Sequence, residues 1–241
     1  MNITLVTPTG GRPEAWELCC RWMAGQAGVE DVIFEWIVID DCVPRTDTDH
    51  WWCPRMTTVR PVPVWEPGDN TQARNLREGL SMIAPDADIV FFIEDDDWYS
   101  PHYLRTMIDA FTADPDLEML GLANAHYYHV GNCSYKIHAN DKHSSLCSTV
   151  IRASAVPFIF KVLEQAQPVE FIDLLLWQLD RFRKRVITCT QPLVVGMKGL
   201  PGRPGIGEGH RRKLPNADPD MTVLRDWLGE DAQWYEGFNA A

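Results

Sequence analysis

The sequence predicts an α/β protein in which a mainly parallel central sheet carries helices on both faces. Three observations support this class. Short apolar runs alternate with amphipathic helical segments through the first half of the chain, which is the order expected of βαβ units. Residues 34–39 and 89–93 are apolar at almost every position, as in strands buried on both faces. Both runs stop at carboxylates, Asp40-Asp41 in the first and Glu94 to Asp97 in the second.

The first half of the chain divides into regular elements at its proline and glycine residues. Residues 3–7 predict a strand that ends at Pro8, and Pro13 suits the first turn of a helix that continues to about Gly25. Further along, the patterns predict a strand at 34–39, a short strand at 58–60, a helix at 71–83, a strand at 89–93 and a helix at 101–111.

The second half is less regular. Residues 125–130 and 133–138 flank Gly131-Asn132 and predict a small β-hairpin with a two-residue loop. The patterns further predict a helix at 172–182, a strand at 186–189, and a short helix that begins at Asp218-Pro219 and ends near Gly229.

Composition narrows the class of protein further. The chain has 241 residues, with 22 Lys and Arg against 34 Asp and Glu, so its formal charge of −12 argues against general nucleic-acid binding. Because the amino terminus has no basic segment and no apolar stretch reaches about 20 residues, we expect neither a signal peptide nor a transmembrane helix. Seven scattered cysteines without CxxC spacing predict free thiols and a cytoplasmic location.

The acidic run from Glu94 to Asp97 is the first candidate site. Neighbouring carboxylates raise one another's pKa, and a divalent cation would relieve their repulsion. If the backbone stays extended, Glu94 and Asp96 point to one side, where one or two oxygens could meet Mg²⁺ or Mn²⁺ beside substrate phosphates. The alternative is a solvated acidic turn.

A glycine-rich segment forms the second candidate. Residues 196–213 contain six glycines and end in His210-Arg211-Arg212-Lys213. This composition predicts a flexible loop that closes over a diphosphate, with His210 reaching a metal. A solvated surface loop is the alternative.

Asp173 opens an amphipathic helix and is the candidate general base. A carboxylate in a first helical turn is stabilised in its charged form, which capping alone would explain, but it could also accept a proton from a hydroxyl. Glu170 is the competing candidate. Trp98, beside the acids, could stack on a sugar or base. The histidines and cysteines between His126 and Cys147 do not have the spacing of a closed zinc site.

Four segments in order resemble the inverting glycosyltransferases of family 2, which have the Rossmann-like GT-A fold. They are Thr7-Pro8-Thr9-Gly10-Gly11-Arg12-Pro13, the run Ile37 to Asp41, Ala73-Arg74-Asn75, and Glu94-Asp95-Asp96-Asp97-Trp98 followed by Pro101. The sequence departs from the family in having Glu94 for the first Asp of its metal motif and Gly-Gly in its first loop. The resemblance is good over residues 2–112 and looser beyond.

The resemblance implies roles for individual residues. The predicted donor site consists of Thr7, Pro8, Thr9, Arg12, Asp41, Arg74, Asp95 and Arg211. Asp96 and His210 would hold the metal, and Asp173 would be the catalytic base.

The implied activity is metal-dependent transfer, with inversion, of a sugar from a nucleotide-diphosphate donor to a hydroxyl acceptor. A UDP-sugar is the favoured donor and Mn²⁺ or Mg²⁺ the expected cofactor. On this basis the chain is one domain, with a nucleotide-sugar half at 1–112, an acceptor half at 113–195, an active-site loop at 196–214 and a C-terminal helix and tail. Two alternatives remain: a sugar-phosphate nucleotidyltransferase, for which Thr9 to Arg12 would be the glycine loop, and an inactive sugar- or nucleotide-binding protein.

Overall fold

The computed structural model describes residues 1–43, 57–67, 69–165, 171–203, 205 and 208–240. The strands are β1 Asn2–Thr9, β2 Ile33–Asp40, β3 Thr57–Pro61, β4 Ile89–Phe92, β5 Trp98–Tyr99, β6 Met119–Leu122, β7 Ala125–His129, β8 Ser134–His138, β9 Thr149–Arg152, β10 Lys184–Ile187, β11 Val194–Lys198 and β12 Asn216–Ala217. The helices are α1 Pro13–Ala24, α2 Gln72–Leu80, α3 Tyr103–Thr112, α4 Val156–Gln165, α5 Ile172–Gln178, α6 Thr222–Leu228 and α7 Gln233–Glu236.

A seven-stranded sheet forms the centre of the fold, in the order β10-β6-β9-β4-β1-β2-β3. Strands β4, β1, β2 and β3 are parallel, and so are β10 and β6. Only β9 runs antiparallel within this sheet, to both of its neighbours. The predicted α/β class with a mainly parallel sheet is therefore confirmed.

Side chains of the sheet alternate between two apolar layers. On β1, Leu5 packs with α1, α3 and the C-terminal helices, whereas the adjacent Val6 packs with α2, α4 and α5. Helix α2 lies very close to the sheet at Gly79, where an added Cβ would be 2.6 Å from Val6 Cγ1. Helices thus cover both faces, as the sequence predicts.

The strand register brings the two acidic segments to one edge of the sheet. Thr9 on β1 is opposite Asp40 on β2, and Val6 is opposite Phe92 on β4. Because parallel strands end on the same side, Asp41 and the acidic run both leave the sheet beside the end of β1.

A second sheet of five strands, in the order β12-β8-β7-β11-β5, was not predicted as a unit. Strands β7 and β8 form the predicted antiparallel hairpin. Their connection is a 3₁₀ turn over Val130–Asn132 followed by Cys133 at φ 45°, rather than a two-residue loop. Strand β11 pairs with both β7 and β5, so the segment after β11 starts close to the acidic run that precedes β5.

The C-terminal segment packs against α1. The Trp22 indole N–H donates to the Tyr235 hydroxyl over 2.9 Å, and the two rings stack with centroids 6.0 Å apart. Trp98 Nε1 donates to Asp231 over 3.0 Å, which joins the same segment to the strand that follows the acids.

Several predicted boundaries shift. Helices α2 and α5 are shorter than predicted, and β10 lies two residues earlier. Pro219 precedes α6 instead of opening it, although Asp218 still caps that helix by accepting from the backbone N–H groups of Val223 and Leu224. Across the described ranges, no helix has the length and apolar character needed to cross a bilayer.

Candidate functional site

A cleft of about 910 Å³ lies at the sheet edge where the acidic segments emerge. Its walls come from residues 8–97, from residues 127–173 and from the glycine-rich segment. They include Pro8, Thr9, Arg12, Trp65, Thr71, Asn75, Glu94, Asp95, Asp96, Asp97, Tyr127, Lys136, Phe171, Asp173, Lys198, Arg203, His210 and Arg211. A cleft of this volume is in the size range of sites for small organic ligands and cofactors.

The acidic run is folded into a turn at residues 95–96 and does not continue as extended backbone. Arg12 spans two of its carboxylates, with Nη2 2.8 Å from Asp95 and Nη1 2.5 Å from Asp96. Lys198 Nζ lies 3.8 Å from Asp97. The chain therefore supplies cations of its own to the acids, in addition to the metal that the acidic run predicts.

Burial and these cations divide the acids into two groups. Burial, only partly offset by Arg12, raises the pKa of Asp95 to about 6. Burial likewise raises the pKa of Asp97 to about 6 against the opposing effect of Lys198, and it raises the pKa of Glu94 well above its usual value. At Asp96 burial also opposes ionisation, but Arg12 and Lys198 outweigh it and lower the pKa. Asp96 is thus the carboxylate of the run that is held most firmly in its charged form.

Asp96 and His210, the predicted metal ligands, lie together in the cleft. His210 Nε2 is 4.0 Å from Asp96 Oδ2. Burial and the neighbouring Lys198 lower the pKa of His210 to about 3, so its imidazole is neutral and keeps a lone pair for a ligand. An ionised carboxylate beside a neutral imidazole fits a divalent cation such as Mn²⁺.

A second group of potential ligands consists of Glu94, Asp97 and Cys147, whose ligand atoms lie within 4.8 Å of one another. Burial raises the pKa of the Cys147 thiol well above its usual value, so the sulfur is protonated. A protonated thiol is a poor ligand for the hard cations Mg²⁺ and Mn²⁺. This group therefore fits those ions less well than Asp96 with His210.

Asp41 is fully buried behind the cleft wall and organises the residues in front of it. Its Oδ2 accepts from Thr71 Oγ1 at 2.5 Å and from Asn75 Nδ2 at 2.8 Å. Arg74 is 3.4 Å from the same oxygen and also donates to the Pro63 carbonyl. Asp41 and Arg74 are thus outside the cleft lining, and Asn75 is the member of the Ala-Arg-Asn segment that reaches it.

The last residues of strand β1 face different parts of the molecule. Thr7 is buried, and its hydroxyl accepts from the Trp36 indole N–H at 2.9 Å, so it faces the sheet and not the cleft. Thr9 lines the cleft and donates to Asp95 Oδ2 at 2.7 Å. Pro8 lines the cleft beside it. Strand alternation separates Thr7 from Pro8, while the end of the strand brings both Pro8 and Thr9 to the cleft wall.

Asp173 lies in the cleft wall in the first turn of α5. Burial raises its pKa, although nearby backbone N–H groups and His143 oppose the shift. The competing candidate Glu170 lies outside the described residues. Trp98 is 3% exposed and does not line the cleft, so its proposed stacking on a ligand is wrong.

The glycine-rich segment contributes five cleft residues besides His210: Lys198, Arg203, Gly205, Gly209 and Arg211. Gly196 to Lys198 belong to β11, so the loop begins at Gly199 and not at residue 196. Arg211 is exposed and lines the cleft, and its donor role stays a prediction. Sequence reasoning missed Lys198 and Arg203. A single cation at the end of the apolar run 193–197 was the available signal for Lys198.

The glycine pair of the first loop serves a packing role. A Cβ at Gly10 would be 2.3 Å from Asp41 Oδ1, and the Gly11 carbonyl accepts from the Arg203 backbone N–H at 2.9 Å. The pair lets this loop approach Asp41 and the glycine-rich segment.

The fold and its acidic cleft define a class: the chain has a GT-A-like glycosyltransferase fold. The similar solved structures include crystal structures of the S. aureus glycosyltransferase TarS, at 14% identity and a TM-score of 0.55 over 82% of this chain and 37% of that one. TarS 1–349 in complex with UDP-GlcNAc gives 13% identity and a TM-score of 0.55, and its complex with UDP gives 13% and 0.57. This chain covers 58% and 60% of those two structures. No family model and no curated protein sequence matches the chain.

Proposed function

We propose that the protein transfers a sugar from a nucleoside diphosphate sugar to a hydroxyl acceptor, with inversion at the anomeric carbon. One observation carries the proposal: the same cleft contains the acidic run with its cations and, on α5, the partly buried carboxylate Asp173. The complexes of the fold neighbour TarS with UDP and UDP-GlcNAc favour a uridine donor. The sequence resemblance supports the more specific proposal of a family 2-like glycosyltransferase.

The donor would lie along the end of β1. Pro8 and Thr9 line this part of the cleft, and Arg12 provides a guanidinium that is 17% exposed and suited to a ribose or phosphate oxygen. Asp95 holds Thr9 and Arg12 in place. Arg211 adds a cation at the cleft mouth. In this proposal Thr7 and Arg74 act indirectly, by fixing the end of β1 and the helix α2 residues that face the cleft. Asp41 lies behind the Arg203 side chain.

A divalent cation, Mn²⁺ or Mg²⁺, would be held by Asp96 and His210. When bound there it would stabilise the negative charge that develops on the departing diphosphate. Arg12 already donates to the Asp96 oxygen nearest His210, so a cation bound at that oxygen replaces this contact.

Asp173 would act as the general base. Its carboxylate takes the proton of the acceptor hydroxyl while the acceptor oxygen forms a bond to the anomeric carbon. The bond from that carbon to the diphosphate breaks on the opposite face, and the diphosphate leaves with the electron pair. Because Asp173 is on α5 and the acids follow β4, the acceptor hydroxyl and the departing diphosphate would be held by different elements of the fold.

A binding and turnover screen tests the proposal. The protein is titrated with UDP-, GDP- and other nucleotide sugars with and without Mn²⁺, and release of the nucleoside diphosphate is then followed with a panel of hydroxyl acceptors. We expect a UDP-sugar to bind and to be turned over, if only by slow hydrolysis when the acceptor is wrong.

Two other outcomes contradict the proposal. Pyrophosphate release from a nucleoside triphosphate and a sugar phosphate would identify a nucleotidyltransferase. Tight donor binding without any hydrolysis or transfer, with acceptors of every class, would identify a binding protein.

A further inference from the structure

The guanidinium of Arg203 fills a slot in the donor half of the cleft. The slot is formed by Trp65, Asp41 and Thr71. Arg203 Nη1 is 2.6 Å from Asp41 Oδ1, and Nη2 donates to Thr71 Oγ1 at 2.8 Å. The guanidinium carbon lies 4.5 Å from the centroid of the Trp65 ring. A planar group of the chain is thus stacked on an aromatic face and bonded at its edge.

The slot has the chemistry of a nucleobase site. An indole face stacks on any flat π-system, and a buried carboxylate oxygen accepts from a ring N–H. Uracil, like guanidinium, is planar and presents an N–H donor at its edge. Trp65 and Thr71 face the cleft, so a base that entered from the cleft would meet the groups that now hold Arg203.

Asp41 does not depend on Arg203 for its other contacts. Thr71, Asn75 and Arg74 all bond or pair with Oδ2, whereas Arg203 engages Oδ1. Departure of Arg203 therefore frees one acceptor oxygen and leaves the buried carboxylate held by three donors. A base N–H can replace the guanidinium at that oxygen without leaving an isolated buried charge.

The backbone around Arg203 has residues that permit it to move. Gly199 and Gly202 have φ values of 77° and 94°, a region that favours glycine. The Arg203 N–H donates to the Gly11 carbonyl at 2.9 Å, and this contact and the slot together hold the segment to the first loop.

We propose that Arg203 is an affinity-determining residue that occupies the nucleobase subsite of the free protein and is displaced by the base of the donor. This inference rests on the proposed nucleotide-sugar function. Binding of the donor must then overcome the Arg203 contacts, so the measured dissociation constant is larger than that of an open slot. If Arg203 fills the slot about 90% of the time, the difference is about tenfold.

The test compares wild-type protein with Arg203→Ala by calorimetric titration, with UDP, uridine and inorganic pyrophosphate as probes. We expect the variant to bind UDP and uridine several-fold more tightly and pyrophosphate with little change, because the gain arises at the base. Arg105→Ala is the matched control, since Arg105 is also partly buried and ion-paired, to Asp31 and Asp109, but does not line the cleft. Arg203→Gln keeps a planar group that can donate hydrogen bonds, so it should give an intermediate affinity for UDP. It replaces the alanine variant in the test if that variant folds poorly.

Equal or weaker binding of UDP by both Arg203 variants would overturn the inference, because Arg203 would then be neutral or a donor contact. If neither the wild-type protein nor the variants bind any nucleotide, the proposed function itself fails and this inference fails with it. The two failures are distinguished by whether wild-type protein binds UDP.

Discussion

Asp173 shows what burial does to one residue at the cleft. Its pKa is raised because the side chain is largely removed from water, yet the start of α5 supplies N–H groups that favour the charged form. A carboxylate with a raised pKa is a stronger base than one on the surface. Asp173 would thus accept a proton better than a carboxylate that only caps a helix needs to.

Replacing Asp173 with Asn should abolish turnover while leaving donor binding intact. The amide keeps the shape but cannot take a proton, and loss of a general base costs about 10²–10⁴ in rate. We expect UDP affinity within about twofold of wild type, measured by titration beside steady-state kcat. Asp109→Asn, at an exposed position on α3, is the control.

The pH dependence of kcat tests the same residue independently. Only the deprotonated carboxylate is a base, so kcat should fall as pH decreases through the raised pKa of Asp173, above the ordinary Asp value of about 4. A wild-type kcat in Asp173→Asn, or an unchanged acidic limb in that variant, would eliminate Asp173 and leave Glu170 as the candidate.

At the scale of elements, the contact between α2 and β1 positions the residues around Asp41. Thr71 and Asn75 are at the start of α2, and Gly79 near its end allows the helix to lie against Val6 and Ile39. A side chain at Gly79 would push the helix away from the sheet.

Gly79→Ala should therefore destabilise the protein, even though alanine has the higher helix propensity by about 1 kcal/mol. Overpacking costs about 1–3 kcal/mol, so we expect the melting temperature to fall by a few degrees. Gly237→Ala is the control, because an added Cβ there has no neighbour within 4 Å and φ is −71°. A melting temperature for Gly79→Ala equal to or above that of Gly237→Ala would contradict this reading of the α2 contact.

The elements that sequence could predict are those with a strong local signal. Strands β2 and β4 are nearly continuous apolar runs, and α1 and α3 have clear amphipathic spacing. The second sheet was not predictable because its strands are short and pair across long sequence separations, as β11 does with β5 and β7. The contact partners of each site residue were equally unpredictable from the sequence. Nothing local to Asp41 indicates that Arg203, 162 positions later, is bonded to it.

At the scale of the whole molecule, the acidic cleft links ligand binding to stability. A ligand that binds only the folded state adds about 2.7 kcal/mol at a concentration of 100 Kd, which corresponds to roughly 5–10 °C in melting temperature for a chain of this size. UDP with Mn²⁺ should produce a shift of this order at such a concentration.

Asp96→Ala should remove the part of this shift that depends on Mn²⁺. Asp96 is the carboxylate held in its charged form beside His210, so its loss leaves the cation with one fewer ligand. Melting curves with UDP alone and with UDP plus Mn²⁺ measure the difference, and Asp109→Ala is the matched acid-to-alanine control. An undiminished Mn²⁺ effect in Asp96→Ala would assign the cation to other residues, with Glu94 and Asp97 next to be tested.

The packing of the C-terminal segment on α1 sets an order for folding during synthesis. Trp22 and Tyr235 are 213 positions apart, so the ribosome adds Tyr235 roughly 10–40 s after Trp22 at ordinary elongation speeds. Throughout that interval the apolar side of α1 lacks its final cover in the nascent chain.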